Sequence, residues 1–170
     1  YLTGQYGDPL TVNPYLTFGL YAYDRADFFV NLYKTIYTSV DCLLFDRYVF
    51  SNLAHQMAKL ESTDQQKEFC DYVRKVEFRL LGIPRPIKNI ILRLPPVMAV
   101  QRMRAAGKIL DGHEQENYLL KVADAYRRLA EDFYPDECLM VDCLDNGREL
   151  TKEEIHEKIW LAVKPILERS

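Results

Sequence analysis

The sequence predicts an α/β fold in which a parallel sheet is flanked by helices on both faces. Short apolar runs at residues 42–46, 89–94 and 137–142 read as strands covered on both sides, without the alternation of a half-exposed strand. Longer stretches with helical spacing and recognisable start signals separate them, the alternation that builds parallel sheets. The 48% apolar content of 170 residues is ample for one core, so a single domain over 1–170 is expected.

Residues 1–12 read as the end of a helix and a loop: Gly4 and Gly7 stop the helix, and Asp8-Pro9 marks a turn. Asn13-Pro14 then starts a helix, a cap residue with proline at the first helical position. The helix is predicted to run to about residue 37. Its aromatics, Tyr15, Phe18, Tyr21, Tyr23, Phe28, Phe29, Tyr33 and Tyr37, fall on more than one face. A helix apolar on several faces has a partner besides its own core, and both a ligand pocket and a homodimer seam fit. Tyr21 and Arg25 lie one turn apart on one face. The ring can stack on a flat base while the guanidinium donates to a carbonyl, but a tyrosine packed on an arginine stem has the same spacing.

Cys42-Leu-Leu-Phe45 is the first predicted strand, with Asp46 and Arg47 at its carboxyl end. Open α/β sheets bind ligands there. Asp46 suits a metal or a metal-bound water, and Arg47 suits a pair of phosphate oxygens. An ordinary surface ion pair would look the same. Ser51 or Asn52 then opens a helix presenting His55 and Gln56 on one side.

Ser62 or Thr63 caps the next helix, through residue 81, with Phe69, Val73, Val76 and Leu80 as its buried stripe. Gly82–Pro86 breaks it before the strand at 89–94, and Pro95-Pro96 starts a helix carrying Arg102 and Arg104. Taken alone, those arginines read as a solvated basic face. Residues 105–116 look like a mobile lid, hinged at Gly107 and Gly112. In it Lys108 can reach a phosphate, Glu114 can orient the lid or a metal-bound water, and His113 is read as structural. Tyr118, Val122, Ala125, Leu129 and Phe133 form one amphipathic stripe. After the strand at 137–142, residues 143–148 are read as a loop. Thr151 with Glu154 is a capping box opening a last helix with Ile155, Ile159, Val163 and Leu167 facing inward and Pro165 loosening its end.

A net charge of −3 disfavours a general nucleic-acid partner. No run of about 18 apolar residues and no signal-like start is present, so a soluble, cytoplasmic chain without a membrane partner is expected. Cys42, Cys70, Cys138 and Cys143 form no CxxC pair and are expected to be reduced core thiols.

The stretch DRYVFSNLAHQ resembles the DRY motif of thymidylate kinases with its S-x-x-A-x-Q tail. LYAYDR before it, and LPPVMAVQRMR, DGHEQENY and EEIHEKIW after it, fall in that family's order, so the resemblance covers nearly the whole chain. It implies a P-loop kinase fold and transfer of the γ-phosphoryl group of ATP, with Mg2+, to dTMP to give dTDP. Arg47 would hold the acceptor phosphate, and Asp46 would position magnesium directly or through water. Tyr21 would stack on the base, Arg25 and Gln56 would hydrogen-bond it, and Ser51, Asn52, His55 and Tyr118 would complete the substrate pocket. Arg102 would lie against adenine, with Arg104, Lys108 and Glu114 on the ATP and lid side. A homodimer through the aromatic helix at 14–37 is likewise implied.

The sequence departs from the family in lacking the glycine-rich phosphate loop. The family resembles a five-stranded sheet in the order 2-3-1-4-5, and the three runs here match its third, fourth and fifth strands. An upstream segment of roughly two strands, a G-x-x-x-x-G-K-[ST] loop and a helix is therefore expected. Two rival readings are a kinase of broader choice, accepting dUMP or other monophosphates, and a nucleotide-binding relative without catalysis.

Overall fold

The computed structural model describes residues 5, 7, 8, 10–33, 36, 39–105, 107 and 116–168. The first helix, α1 (Pro14–Phe28), begins as its sequence dictates. The Asn13 side chain accepts from the Tyr15 and Leu16 amides at 2.9 and 3.4 Å, and proline takes the first helical position. It passes into a π-helical turn, Phe29–Tyr33. Residues 34, 35, 37 and 38, at the predicted end of the aromatic helix, lie outside the described residues.

The aromatic excess divides between faces. Tyr15 and Phe18 turn inward and meet Phe69 edge-on at 5.0 and 6.1 Å, while Phe28 meets Phe45 at 5.8 Å. Leu16, Leu20, Tyr23 and Val30 remain exposed.

Helix α2 (Val49–Met57) is the centre of the core. Val49, Phe50, Leu53, Ala54 and Met57 are all buried, and the helix packs against α1, against α3 (Thr63–Arg74) and against α5 (Glu116–Arg128). Burying each large side chain contributes roughly 1.5–3 kcal/mol. Of the two caps offered to α3, Ser62 is the one used. Its hydroxyl accepts from the Gln65 amide at 3.2 Å, and Gln65 returns the bond to the Ser62 amide.

The predicted buried stripe of this helix needs a correction at its end. Phe69 and Val73 are buried, but Leu80 is 69% exposed and Glu77 is fully buried in its stead. From Lys75 to Leu80 the helix becomes π-helical, and the Leu81 amide donates to the Val76 carbonyl five residues back at 2.9 Å. An extra residue per turn rotates the inward face, so a stripe counted at 3 and 4 residues goes out of step.

Strands β1 (Asn89–Arg93) and β2 (Cys138–Asp142) pair in parallel, from Asn89 opposite Cys138 to Arg93 opposite Asp142. Between them run α4 (Pro96–Ala105) and α5, which ends in a π-helical turn, Leu129–Phe133, and a short 3-10 turn, Pro135–Glu137. Residues 143–148, expected as a loop, instead contain most of a hairpin, β3 (Leu144–Asp145) against β4 (Arg148–Glu149). Asn146 and Gly147 both have positive φ, as a two-residue hairpin turn of this kind requires.

The last helix, α6 (Lys152–Leu167), has the predicted capping box and carries Pro165 inside its final turn. Ile155, Ile159 and Val163 are only half-buried and Leu167 is exposed, so this helix rests on the protein through one shallow face, chiefly on β2.

The predicted strand at 42–46 is not formed. These residues pair with no strand among the described residues, and Leu44 is 89% exposed. An apolar run becomes a strand only when a neighbouring edge accepts its backbone bonds, and none is offered here. Phe45 is held instead by aromatic contacts with Phe28, Phe29 and Tyr48. Cys42 is consequently exposed, against expectation. Cys70, Cys138 and Cys143 are buried free thiols, and burial pushes Cys70 up to about 12 and Cys138 up to about 11. Among the described residues no helix is long and apolar enough to cross a membrane.

Candidate active site

The turn before α2 positions Asp46 and Arg47. Arg47 has a φ of 70°, left-handed backbone that a residue with a Cβ adopts at a cost of about 1–3 kcal/mol. Tyr48 pins the turn on its far side: its hydroxyl donates to the Pro84 carbonyl at 2.8 Å, and its ring stacks on Phe45 at 4.9 Å. Asp46 and Arg47 are exposed, and neither side chain has a hydrogen bond or ion pair among the described residues. The Arg47 charge is felt by Tyr126 of α5. Burial raises that phenol above its ordinary value, opposed by a hydrogen bond with Ser51 and by Arg47. Ser51, Arg47 and Tyr126 thus form one neighbourhood.

One turn into α2, Asn52 and Gln56 stack four residues apart. The Asn52 amide donates to the Phe18 carbonyl of α1 at 3.3 Å, and the Gln56 amide donates to Asn52 Oδ1 at 3.2 Å. Gln56 is 1% exposed, so it stands behind Asn52 and does not present its amide to solvent. Its Oε1 is buried without a partner, a group that normally finds one. On the next face His55 meets Tyr118 of α5. The Tyr118 hydroxyl donates to the His55 carbonyl at 2.9 Å, which leaves it to accept from the imidazole Nδ1–H at 3.2 Å.

Tyr21 is 37% exposed on α1, and its ring has no aromatic partner among the described residues. Arg25, one turn on, is engaged more tightly than its spacing suggests. Its Nε donates to Glu77 Oε2 at 2.8 Å and its Nη2 to Glu77 Oε1, a side-on fork to a fully buried carboxylate. Removing one partner of such a pair costs about 3–5 kcal/mol. Nothing in the local sequence announces the pairing, because the partners are separated by 52 residues.

Arg102 reaches the hairpin with one bond, from Nη2 to Glu149 Oε2, while the Arg104 side chain is exposed without a described partner. Lys108 and Glu114, and the predicted lid at 105–116 except Ala105, Gly107 and Glu116, lie outside the described residues. The structure thus joins Asn52 and Gln56 to α1 at the Phe18 carbonyl, ties His55 to Tyr118 of α5, turns Arg25 to Glu77, and sets Asp46, Arg47 and Ser51 at the start of α2; no described contact joins Tyr21 or Arg25 to Asn52 or Gln56. Glu77, Tyr126 and Glu149 are the neighbours the sequence did not reveal. A separate pocket of about 490 Å3 opens beyond the carboxyl end of β1, lined by Ile91, Pro95, Val122, Tyr126 and Met140 among others; none of the predicted site residues lines it.

A magnesium ion needs few protein ligands: one or two carboxylates, the rest being waters and phosphate oxygens. Among the described residues no cluster of three histidine, cysteine, aspartate or glutamate side chains exists. The unpartnered, exposed Asp46 carboxylate fits a hard cation that arrives with its nucleotide.

Comparison with known proteins follows the same line. The thymidylate kinase of Mycobacterium tuberculosis is 32% identical over 117 residues, 69% of this chain and 53% of that protein. The thymidylate kinase of Halothermothrix orenii is 30% identical over 154 residues, covering 88% and 68%. A probable thymidylate kinase of Pyrococcus abyssi is 28% identical over 145 residues, covering 85% and 62%. The chain spans about half the length of the mycobacterial relative. The family model for thymidylate kinase matches residues 8–159, from the loop before α1 into α6, and by that match the chain belongs to the thymidylate kinase family.

Proposed function

We propose that this protein transfers the γ-phosphoryl group of ATP to dTMP, giving dTDP. The observation that carries the reading is the unpaired Arg47, held in a left-handed turn at the start of the helix that bears Asn52 and His55. A free guanidinium there is a clamp for the acceptor phosphate, and family membership supplies the reaction class.

In this reading the acceptor base lies along the α1–α2 seam. Tyr21 stacks on it, Arg25 donates to a ring carbonyl, and Asn52, steadied by Gln56, reads the adjoining edge. His55, locked to Tyr118, and Ser51 bound the sugar side. Arg47 binds the phosphate and neutralises charge as it moves. Asp46 would hold Mg2+ or its water, and the ion supplies charge neutralisation between donor and acceptor phosphates. Arg102 and Arg104 face the donor nucleotide, with Lys108 and Glu114 on a lid over it. Phosphoryl transfer asks for positioning and electrostatics more than for a base, so no histidine is assigned that role.

We further propose one kinase domain with helices on both faces of its sheet, acting in the cytoplasm without nucleic-acid or membrane partners. It would be a homodimer through α1. The exposed Leu16, Leu20, Tyr23 and Val30 recur at 4, 3 and 7 residues and make an apolar stripe opposite the core face. Tyr23→Glu is expected to convert the dimer to monomer in sedimentation; a monomeric wild-type protein at micromolar concentration refutes the seam.

The activity itself is tested by coupled ADP release with dTMP, dUMP, dCMP, dAMP and dGMP, with and without Mg2+. Turnover with dTMP well above the rest is expected. Comparable turnover on several monophosphates would mean a broader kinase, and binding without turnover a non-catalytic relative.

A further inference from the structure

Glu77 is a charged group where the fold asks for an apolar one. It is fully buried on the inward side of a π-helical turn, beside Val73 and among side chains that form the core. An ionised carboxylate out of water is costly, and a well-packed apolar residue of similar volume would serve stability as well or better. Its one described side-chain partner is Arg25, whose Nε and Nη2 occupy both carboxylate oxygens. Such a fork fixes the plane and the rotation of the guanidinium together. It also leaves Nη1 with no partner among the described residues, on a side chain still 14% exposed and one turn from Tyr21. A long, flexible side chain has thus been immobilised before any ligand arrives, with one donor end kept unspent.

We infer that Glu77 is a positioning residue for pyrimidine recognition: its buried carboxylate holds Arg25 so that the free Nη1 end donates to a ring carbonyl of the acceptor base. This rests on the reading above that Tyr21 and Arg25 meet the base. Residue 77 lies four residues after Val73 and seven after Cys70, on the buried face of the preceding helix, so the helix itself sets the carboxylate inward. The base class follows as well. A fixed donor accepts the 4-carbonyl of thymine and rejects the amino group that cytosine carries at the same ring position, because two donors then face each other.

The test is calorimetric binding of dTMP and dCMP to the wild-type protein and to Glu77→Gln, Arg25→Ala and the double variant. Wild type is expected to prefer dTMP. Glu77→Gln keeps the size of the side chain but frees the guanidinium. Its dTMP affinity is expected to fall about tenfold, with dCMP affinity little changed, so that the preference narrows. The double variant is expected to bind dTMP no more weakly than Arg25→Ala alone, the sign that one residue acts through the other. A merely structural tie would weaken both nucleotides alike. If Glu77→Gln is not folded by circular dichroism, Glu77→Asp carries the same test, because it keeps the charge and draws the guanidinium back. An unchanged dTMP-to-dCMP ratio in the folded variant, with Arg25→Ala narrowing it, overturns the role of Glu77 alone. Wild-type protein showing no preference for dTMP overturns the thymidylate reading and this inference with it.

Discussion

From Ser51 to Gln56 the polar side chains of α2 are engaged within the protein, and among the described residues Gln56 Oε1 is a buried atom left without a partner. Just ahead of that helix, Asp46 and Arg47 carry full charges with no hydrogen bond or ion pair among the described residues. The contrast follows from solvent. Neutral amides out of water must be satisfied internally, so in the proposed reading the base side of the site is assembled in advance. Charges in water need no internal partner, and they remain available for a phosphate and its cation. In that reading shape selectivity and charge handling are separated along a single helix and its leading turn, and each can be broken without the other.

The largest effect is expected at the open end. Arg47→Ala should lower phosphoryl transfer on the order of 10³-fold, since contacts to moving phosphoryl charge have that weight. Its melting temperature should hold, because an exposed, unpaired side chain is lost and a strained backbone position is little affected. Retention of more than about a tenth of the wild-type turnover would remove Arg47 from the clamp.

At the assembled end, Gln56→Leu should affect binding differently. Leucine removes the donor to Asn52 Oδ1, and the loosened Asn52 should cost dTMP about 1–3 kcal/mol of affinity. ATP affinity should stay as it was. Equal losses for both nucleotides in calorimetry would place Gln56 outside the base side.

The smallest effect is a control on α6, at a residue outside the proposed site. Glu154 is held down at about 2, from an ordinary 4.5, first by its hydrogen bonds from Arg148 and then by the Thr151 amide. A depressed folded value gives stability that is present above pH 4.5 and lost as pH falls toward 2. The melting-temperature difference between wild type and Glu154→Gln should therefore be modest and constant at neutral pH, and shrink across that acid window. Nucleotide affinities at pH 7 should match wild type. A difference that persists unchanged at pH 2 contradicts the cap.

How much of this was readable from sequence depended on range. The caps at Asn13, Ser62 and Thr151 were legible because each is a contract between residues three apart or fewer. Strands β1 and β2 were legible because each finds the other's edge. The apolar run at 42–46 looked the same but met no edge, and burial cannot be inferred from composition when the partner is elsewhere. The hairpin at Asn146-Gly147 had its turn signal in plain view, but two-residue strands leave no periodicity to notice. At the candidate site residues the sequence did not show the partners. Arg25 was read as a donor beside Tyr21 until Glu77 appeared, and Gln56, read beside His55 as a donor to the base, is buried with its amide turned to Asn52.

The division of labour along α2 is tested most directly by comparing thymidine with dTMP. Calorimetric affinities for both are measured on wild type and on Arg47→Ala. Thymidine carries the base and sugar alone, so its affinity should be the same in the two proteins, while the extra affinity that the phosphate gives dTMP should disappear in the variant. A fall in thymidine affinity that equals the fall for dTMP would contradict the account, because the two ends of the site would then be one cooperative unit.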